Sequence, residues 1–400
     1  MSIRRGLVWP LLLLIALPLA TAWFVYPQTH LPPGFGIFPP LFVQAPPGFN
    51  LAVFIVVALA EIALALLLLF PQWFGFKKSP PAPLPAPATL PIWFWVGAAF
   101  TVFFWWLMWA RVTPFGDLVY YAFTPLWWGF ILMLDGIVYR RSGGYSLLAS
   151  RTKTFVISVV VSVVGWFFFE YFNYFALGNW YYPNSTMPAL SHAQVVIIFL
   201  VAYTTVWPAV FEWYTLLNTF PKFVARYTKG PKINLPGGLL LWGGLALILG
   251  LVIFPYPFFW ALWVGTLAVF TGALIRLGLP TPFSDMEKGN WSPAILMGLS
   301  SMFNGFFWEL WNWGSTHPDP LPVTNPNYWM YDVPYVDVIH IFSEMPLLGY
   351  FGYLPFGLLV WVMFIWAGQL FGFNTDLLKG RQGLARGRLT ANKERVKNYT

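Results

Sequence analysis

Ten stretches of this chain are apolar for about the 20 residues of helix that a ~30 Å hydrocarbon core requires. They run 7–25, 50–70, 91–110, 117–138, 154–177, 193–217, 236–254, 257–278, 291–313 and 349–373. Polar and charged residues gather between them in short runs. The pattern predicts an all-α polytopic membrane protein of about ten transmembrane helices. The first stretch follows Arg4 and Arg5 and has the outline of a signal peptide. Its small-residue cleavage candidate, Ala20-Thr21-Ala22, is marginal, so this segment is expected to remain as a span.

Charge gives the pattern a direction. With the N-terminus inside, Arg4, Arg5, Lys77, Lys78, Arg140, Arg141, Arg151, Lys153, Lys222, Arg226, Lys229, Lys232, Arg276 and Lys288 all fall on the inner side. So do the seven Lys and Arg between Lys379 and Lys397, which leaves Arg111 alone outside. Removing or adding one span would scatter this order. The expected location is therefore the inner (plasma) membrane, multi-pass, with both termini cytoplasmic. Charged residues make up 9% of the chain, against roughly 25% in soluble domains. The formal charge of +8 would suit a nucleic-acid partner in a soluble protein. Here it sits in loops and tail as a topology signal, so membrane lipid is the expected partner and nucleic acid is not. Cysteine is absent, which excludes disulfides, thiolate metal sites and cysteine nucleophiles. No phosphate-binding glycine loop, nucleotide motif, haem signature or nucleophile elbow occurs, and no cofactor is expected.

Residues 71–90 hold Lys77-Lys78 and a proline run from Pro80 to Pro87, a stiff linker that marks off a two-helix leader, 1–90. The remainder repeats itself. Trp127-Trp128-Gly129 matches Trp263-Val264-Gly265, Gly136 meets Gly272 and Arg140 meets Arg276, all at an offset of 136. Glu170 and Asn173 meet Glu309 and Asn312 at 139; Trp180-Tyr181-Tyr182-Pro183 meets Trp329-Met330-Tyr331, with Pro334 nearby, at 149; Pro208 meets Pro355 at 147. The order is kept while the offset drifts. Two four-helix repeats are expected, 91–232 and 233–375, followed by a basic cytoplasmic tail, 376–400. An even number of spans per repeat makes the copies parallel, related by an axis along the membrane normal.

The chemistry-bearing residues lie in that repeat. Gly165-Trp166-Phe167-Phe168-Phe169-Glu170-Tyr171-Phe172-Asn173 and Asn304-Gly305-Phe306-Phe307-Trp308-Glu309-Leu310-Trp311-Asn312 each place a carboxyl and, three residues on, an amide on one helix face. Ionisable groups inside a span are costly and mark functional candidates. If the fifth and ninth spans line the axis, Glu170 and Glu309 approach each other and share a proton. Asn173 and Asn312 would then donate to the ionised partner. These four are the candidate catalytic residues. Two other readings stay open: polar glue between helices, and an ion pathway. Trp166, Phe169, Trp180, Tyr182, Trp308, Trp311, Trp329 and Tyr331 are the candidate substrate-binding wall, since aromatic faces attract a passing cation. In the outer loop, Val336–Glu344 reads as an amphipathic helix with Asp337, His340 and Glu344 on one stripe, supporting Glu309 from above. The spacing of His340 and Glu344 also suits a metal, but no His-Glu-x-x-His motif accompanies it and no metal is expected. Three further acids have local explanations: Glu212 toward the inner side, Asp135 paired with Arg140 and Arg141, and Glu61 bonded to a neighbouring helix.

At the motif level the repeat resembles the membrane-bound, heterodimer-type lycopene cyclase and bisanhydrobacterioruberin hydratase group. Those proteins place an acid on one span, a Trp-x-Tyr or Trp-x-Phe step in the outer loop, and a Pro-x-Glu-Glu pattern on the next span. The matching residues are Glu170, Trp180 with Tyr182, and Pro208 with Glu212; then Glu309, Trp329 with Tyr331, and Pro355. The chain departs from the pattern in having no adjacent Glu-Glu and in carrying Leu359 where Glu212 falls in the first copy. The resemblance implies acid-initiated proton addition to a polyene, followed by ring closure or hydration. The expected function is thus action on, or binding of, a hydrophobic isoprenoid- or carotenoid-like molecule. The alternatives are a non-enzymatic pigment-, quinone- or lipid-binding subunit of a membrane complex or homo-oligomer, and a transporter with a paired-glutamate ion site.

Overall fold

The computed structural model describes residues 3–41, 44–112, 114–317 and 322–378, so the basic run from Lys379 onward lies outside the described residues. Each of the ten apolar stretches is helical. In order, the helices are α1 (Ile3–Val25), α2 (Leu51–Leu69), α3 (Ile92–Ala110), α4 (Phe123–Arg141), a single turn α5 (Leu147–Ser150), α6 (Thr152–Phe175), α7 (His192–Tyr203) and α8 (Val206–Asn218). Then follow α9 (Pro221–Ala225), α10 (Gly237–Ile253), α11 (Pro255–Phe258), α12 (Ala261–Arg276), α13 (Ser292–Gly314) and α14 (Tyr353–Phe371). By length and apolarity six helical segments suffice to cross a membrane: α1, α2, α3, α6, α7 with α8, and α14 with the 3-10 turn Leu347–Gly352 before it. The protein is an all-α membrane protein, and α10 and α12 are shorter apolar helices within it.

Among the places where the expected continuous spans are interrupted, two trace to Pro208 and Pro355. Pro208 has no N–H for the Thr204 carbonyl, and Pro355 none for the Phe351 carbonyl. The chain accordingly changes course at Thr204-Thr205 and at Gly352-Tyr353. At the first break the hydroxyls of Thr204 and Thr205 turn back to the carbonyls of Val201 and Ala202. Ser162 of α6 closes the gap: its hydroxyl donates to the Tyr203 carbonyl and accepts from the Trp207 N–H.

Glycine sets how close the helices come. A Cβ on Gly129 would stand 2.8 Å from the Gly97 carbonyl, which locks α3 to α4; one on Gly272 would stand 2.6 Å from the Gly237 carbonyl, which locks α10 to α12. Between these two hairpins lie α6, α8, α13 and α14. The Trp207 indole of α8 donates to the Val360 carbonyl of α14 at 2.8 Å, and Phe211 meets Phe364 below it. The leader is not a separate body: α1 packs against α10, α12 and α14, while α2 stands at the side. Beyond the C-terminal ends of α6 and α13 two short strands, β1 (Trp180–Tyr181) and β2 (Met330–Tyr331), pair antiparallel, with Trp180 opposite Tyr331.

The glycine contacts predict a contrast between adjacent positions on one helix. A Cβ on Gly244 would stand 2.6 Å from the Gly265 carbonyl, whereas one on Gly243 meets nothing within 4 Å. Gly244→Leu should destabilise the detergent-solubilised protein by about 1–3 kcal/mol, read as a lower thermal midpoint, and Gly243→Leu should leave it unchanged.

Candidate functional site

Glu170 is fully buried near the outer end of α6 and is held on both oxygens. Oε1 accepts from Trp166 Nε1 at 2.9 Å, Tyr182 OH at 2.7 Å and Tyr203 OH at 2.9 Å; Oε2 accepts from Trp180 Nε1 at 3.1 Å. Glu309 on α13 accepts from Tyr331 OH at 2.7 Å and Tyr353 OH at 2.6 Å, both on Oε1. Its Oε2 is buried and accepts no hydrogen bond among the described residues. The difference has a source in the sequence. Four residues before Glu170 stands Trp166, whose indole reaches back; four before Glu309 stands Gly305, against which the Tyr353 ring packs. The indole of Trp329 turns instead to Tyr331 OH, at 2.8 Å.

The amides work on the loops rather than on the acids. Asn173 Nδ2 donates to the Trp180 carbonyl at 2.8 Å, and its Oδ1 accepts from the Trp180 N–H at 3.3 Å. Asn312 does the same with Trp329, at 2.7 and 3.0 Å. This corrects the expectation that they donate to a carboxylate. Each amide clips the returning outer loop to its helix, and so delivers the next tyrosine, Tyr182 or Tyr331, to its glutamate. The expected direct sharing of a proton is likewise absent: among the described residues no hydrogen bond joins Glu170 to Glu309, because each is enclosed by its own tyrosines.

Those tyrosines line one cavity of about 870 Å³, a volume suited to a sizeable organic ligand. Trp166, Trp180, Tyr182, Tyr203, Trp263, Trp308, Trp329, Tyr331, Tyr353 and Phe356 form its aromatic wall, while the two glutamates lie just behind it. Six of the eight residues expected on that wall are there. Phe169 and Trp311 are not. Phe169 is turned inward, stacked on Trp207 at 5.7 Å; Trp311 packs between Trp127 and Phe130 in the core of α4 and α13. Each lies three positions after a wall residue, offset by roughly 60° around the helix, and there it meets a neighbouring helix instead of the cavity. Tyr203, Tyr353, Trp263 and Phe356 went unnoticed in the sequence. Tyr203 and Tyr353 have a signal, since each lies within five residues of Pro208 or Pro355 at a helix break.

The outer-loop stripe is not realised. Residues 336–344 form turns rather than a helix, as β-branched Val336, Val338 and Ile339 between Pro334 and Pro346 would favour. His340 Nε2 still meets Asp337 Oδ1 at 2.9 Å, but Glu344 turns to Tyr328 OH at 2.6 Å and to His317 Nδ1 at 3.7 Å. His340 and Glu344 therefore do not share a face. Among the described residues no hydrogen bond links these three side chains to Glu309. Burial raises the Asp337 carboxyl above its ordinary value, with His340 pulling it back down. Asp135 also differs from expectation. Arg141 bonds Thr219 at 2.7 Å and caps the Phe220 ring; Asp135 takes donors from Trp93 and the Leu148 N–H, and Glu212 accepts from the Thr215 hydroxyl.

Comparison with family models, with curated proteins and with solved structures gives no match. The site is therefore read from its own geometry.

If the amides serve to clip the loops, Asn173→Leu and Asn312→Leu should each cost about 1–3 kcal/mol of stability, the usual penalty for unpaired buried backbone groups. A thermal-unfolding series on the two variants measures this.

Proposed function

We propose that this is a ten-span inner-membrane protein, with both termini cytoplasmic, that binds and protonates a hydrophobic isoprenoid- or carotenoid-like polyene in the aromatic cavity. The observation that carries the reading is the pair of glutamates, each with two tyrosines that form part of one apolar wall. Glu309 is the acid. Tyr331 and Tyr353 hold one of its oxygens and connect it to the cavity, and its second oxygen is the position for a transferable proton. A proton added to a terminal double bond leaves a carbocation, which the faces of Trp308, Trp263 and Phe356 stabilise. Attack of a nearby double bond of the chain on that cation closes a ring, and the new cation loses a proton to give an alkene; capture of water, with loss of one of its protons, hydrates the chain instead. Glu170, held by four donors, fixes the opposite arm of the wall. The motif resemblance to the carotenoid cyclase and hydratase group is in keeping with this chemistry.

A duplicated four-span unit accounts for the doubled site. Glu170–Asn173–Trp180–Tyr182–Tyr203 and Glu309–Asn312–Trp329–Tyr331–Tyr353 make the same core of hydrogen bonds. Tyr181 and Met330, equivalent in the two copies, pair with each other, as a two-fold axis through the ladder would require. On this account the axis runs between α8 and α14, not between α6 and α13.

A second reading is favoured by one observation: neither glutamate itself lines the cavity. In that case the protein is a pigment-, quinone- or lipid-binding subunit, and the acids only brace the wall. Detergent-purified protein, extracted and scanned for absorbing lipid, addresses binding. Glu309→Gln addresses chemistry: it should keep the bound molecule and abolish conversion, and unchanged product formation would remove Glu309 from the reaction. The topology has its own test in this cysteine-free chain. A cysteine at Ser191 should react with an impermeant thiol reagent applied to the outer face, and one at Lys229 should react only after the membrane is opened.

A further inference from the structure

Helix α2 brings a third carboxyl to the cavity. Val53, Val57, Glu61 and Leu64 lie on one stripe of that helix, and all four line the cavity. Glu61 is 9% exposed, whereas Val56, Leu59 and Ile62 on the other side are 67%, 61% and 54% exposed. The lipid-facing surface is thus purely aliphatic, and the acid is turned inward. The expectation that Glu61 bonds a neighbouring helix is not met: no hydrogen bond or ion pair reaches it among the described residues.

Its depth is defined by the helix ends. On the outer side the Asn50 N–H donates to the Tyr335 carbonyl at 3.0 Å; on the inner side Tyr227 OH donates to the Leu68 carbonyl at 2.7 Å. Glu61 stands about 15 Å below the outer end of α2, at 1.5 Å per residue, near the middle of the hydrocarbon. The tyrosines of Glu170 and Glu309 lie nearer the outer surface. The cavity therefore joins the phenols beside Glu170 and Glu309 to one carboxyl on α2, with the amides of Asn50, Asn179 and Asn327 and the Thr205 hydroxyl also on its lining.

A buried carboxyl with no protein donor is costly, and the cost is offset when a ligand supplies the donor. We propose that Glu61 is the specificity residue of the cavity and that the ligand is a hydroxylated isoprenoid. Its hydroxyl donates to Glu61 at mid-membrane depth, and its hydrocarbon chain runs outward past Trp260 and Trp263 toward Tyr331 and Tyr353. This rests on the cavity being a site for a hydrophobic ligand, and it adds that a pure hydrocarbon is the weaker ligand. It also sets the orientation: the end remote from the hydroxyl is presented at the Glu309 tyrosines.

The test uses the full-length protein in lipid nanodiscs with two probes that share one polyene skeleton, all-trans-retinol and its deoxy hydrocarbon. Both are followed by quenching of the cavity tryptophans. Wild type should bind retinol about tenfold more tightly than the hydrocarbon, the value of a hydrogen bond to a charged or strongly polar group. Glu61→Leu should bring retinol down to the hydrocarbon's level while the hydrocarbon's own affinity stays put, which also shows that the variant is folded. Glu61→Gln, which keeps an acceptor, should retain part of the preference. Equal binding of the two probes by wild type, or a retinol preference that survives in Glu61→Leu, overturns the role of Glu61 and leaves the cavity reading standing. Failure of both probes to bind wild type overturns the cavity reading and the role of Glu61 together.

Discussion

A carboxyl group set in hydrocarbon is costly without hydrogen-bond donors, and supplying them to Glu170 and Glu309 shapes one end of this bundle. The shell of Glu170 is gathered from three places: Trp166 one turn back on α6, Trp180 and Tyr182 on the outer loop, and Tyr203 at the end of α7. The acid thereby fixes a helix, a loop and a helix break relative to one another. Glu309 does the same with fewer donors. The prolines that end the helical ladder at Thr204 and Phe351 belong to the same arrangement, since they free the chain to turn a tyrosine toward each acid.

The helices were legible because the bilayer permits so few alternatives: a run of about 20 apolar residues has little else to be. Glu170, Glu309 and their loop partners were legible as an echo within the chain. What escaped was whatever depends on helix rotation or on a break. Aligning Pro208 with Pro355 places Tyr203 on Tyr350, yet Tyr350 bonds Ser343 and it is Tyr353 that reaches Glu309. Phe169 and Trp311 sit in motifs as aromatic as their neighbours, and only the direction of the helix face sends them into the core. Asp135 stood close in sequence to Arg140 and Arg141, but its donors came from Trp93 on α3 and from the Leu148 N–H. The stripe of Asp337, His340 and Glu344 failed for a local reason, a β-branched segment closed off by prolines.

The two acid sites are alike in plan and unequal in detail. Trp166 and Trp180 give Glu170 two indole donors, whereas Gly305 offers none and Trp329 is directed to a phenol. One arm is thus saturated and the other keeps an oxygen in reserve. The difference is physical as well as geometric: both oxygens of Glu170 are held, while the second oxygen of Glu309 is buried with no donor among the described residues.

The small ladder between β1 and β2 couples these arms. Trp180, a donor to Glu170, lies directly across from Tyr331, a donor to Glu309. Neither strand can slide without carrying the other acid's donor with it. A displacement of Tyr331 therefore bears on the strand that carries Trp180. The two-residue ladder works as a clasp, holding the shells of the two acids in one register within a single chain.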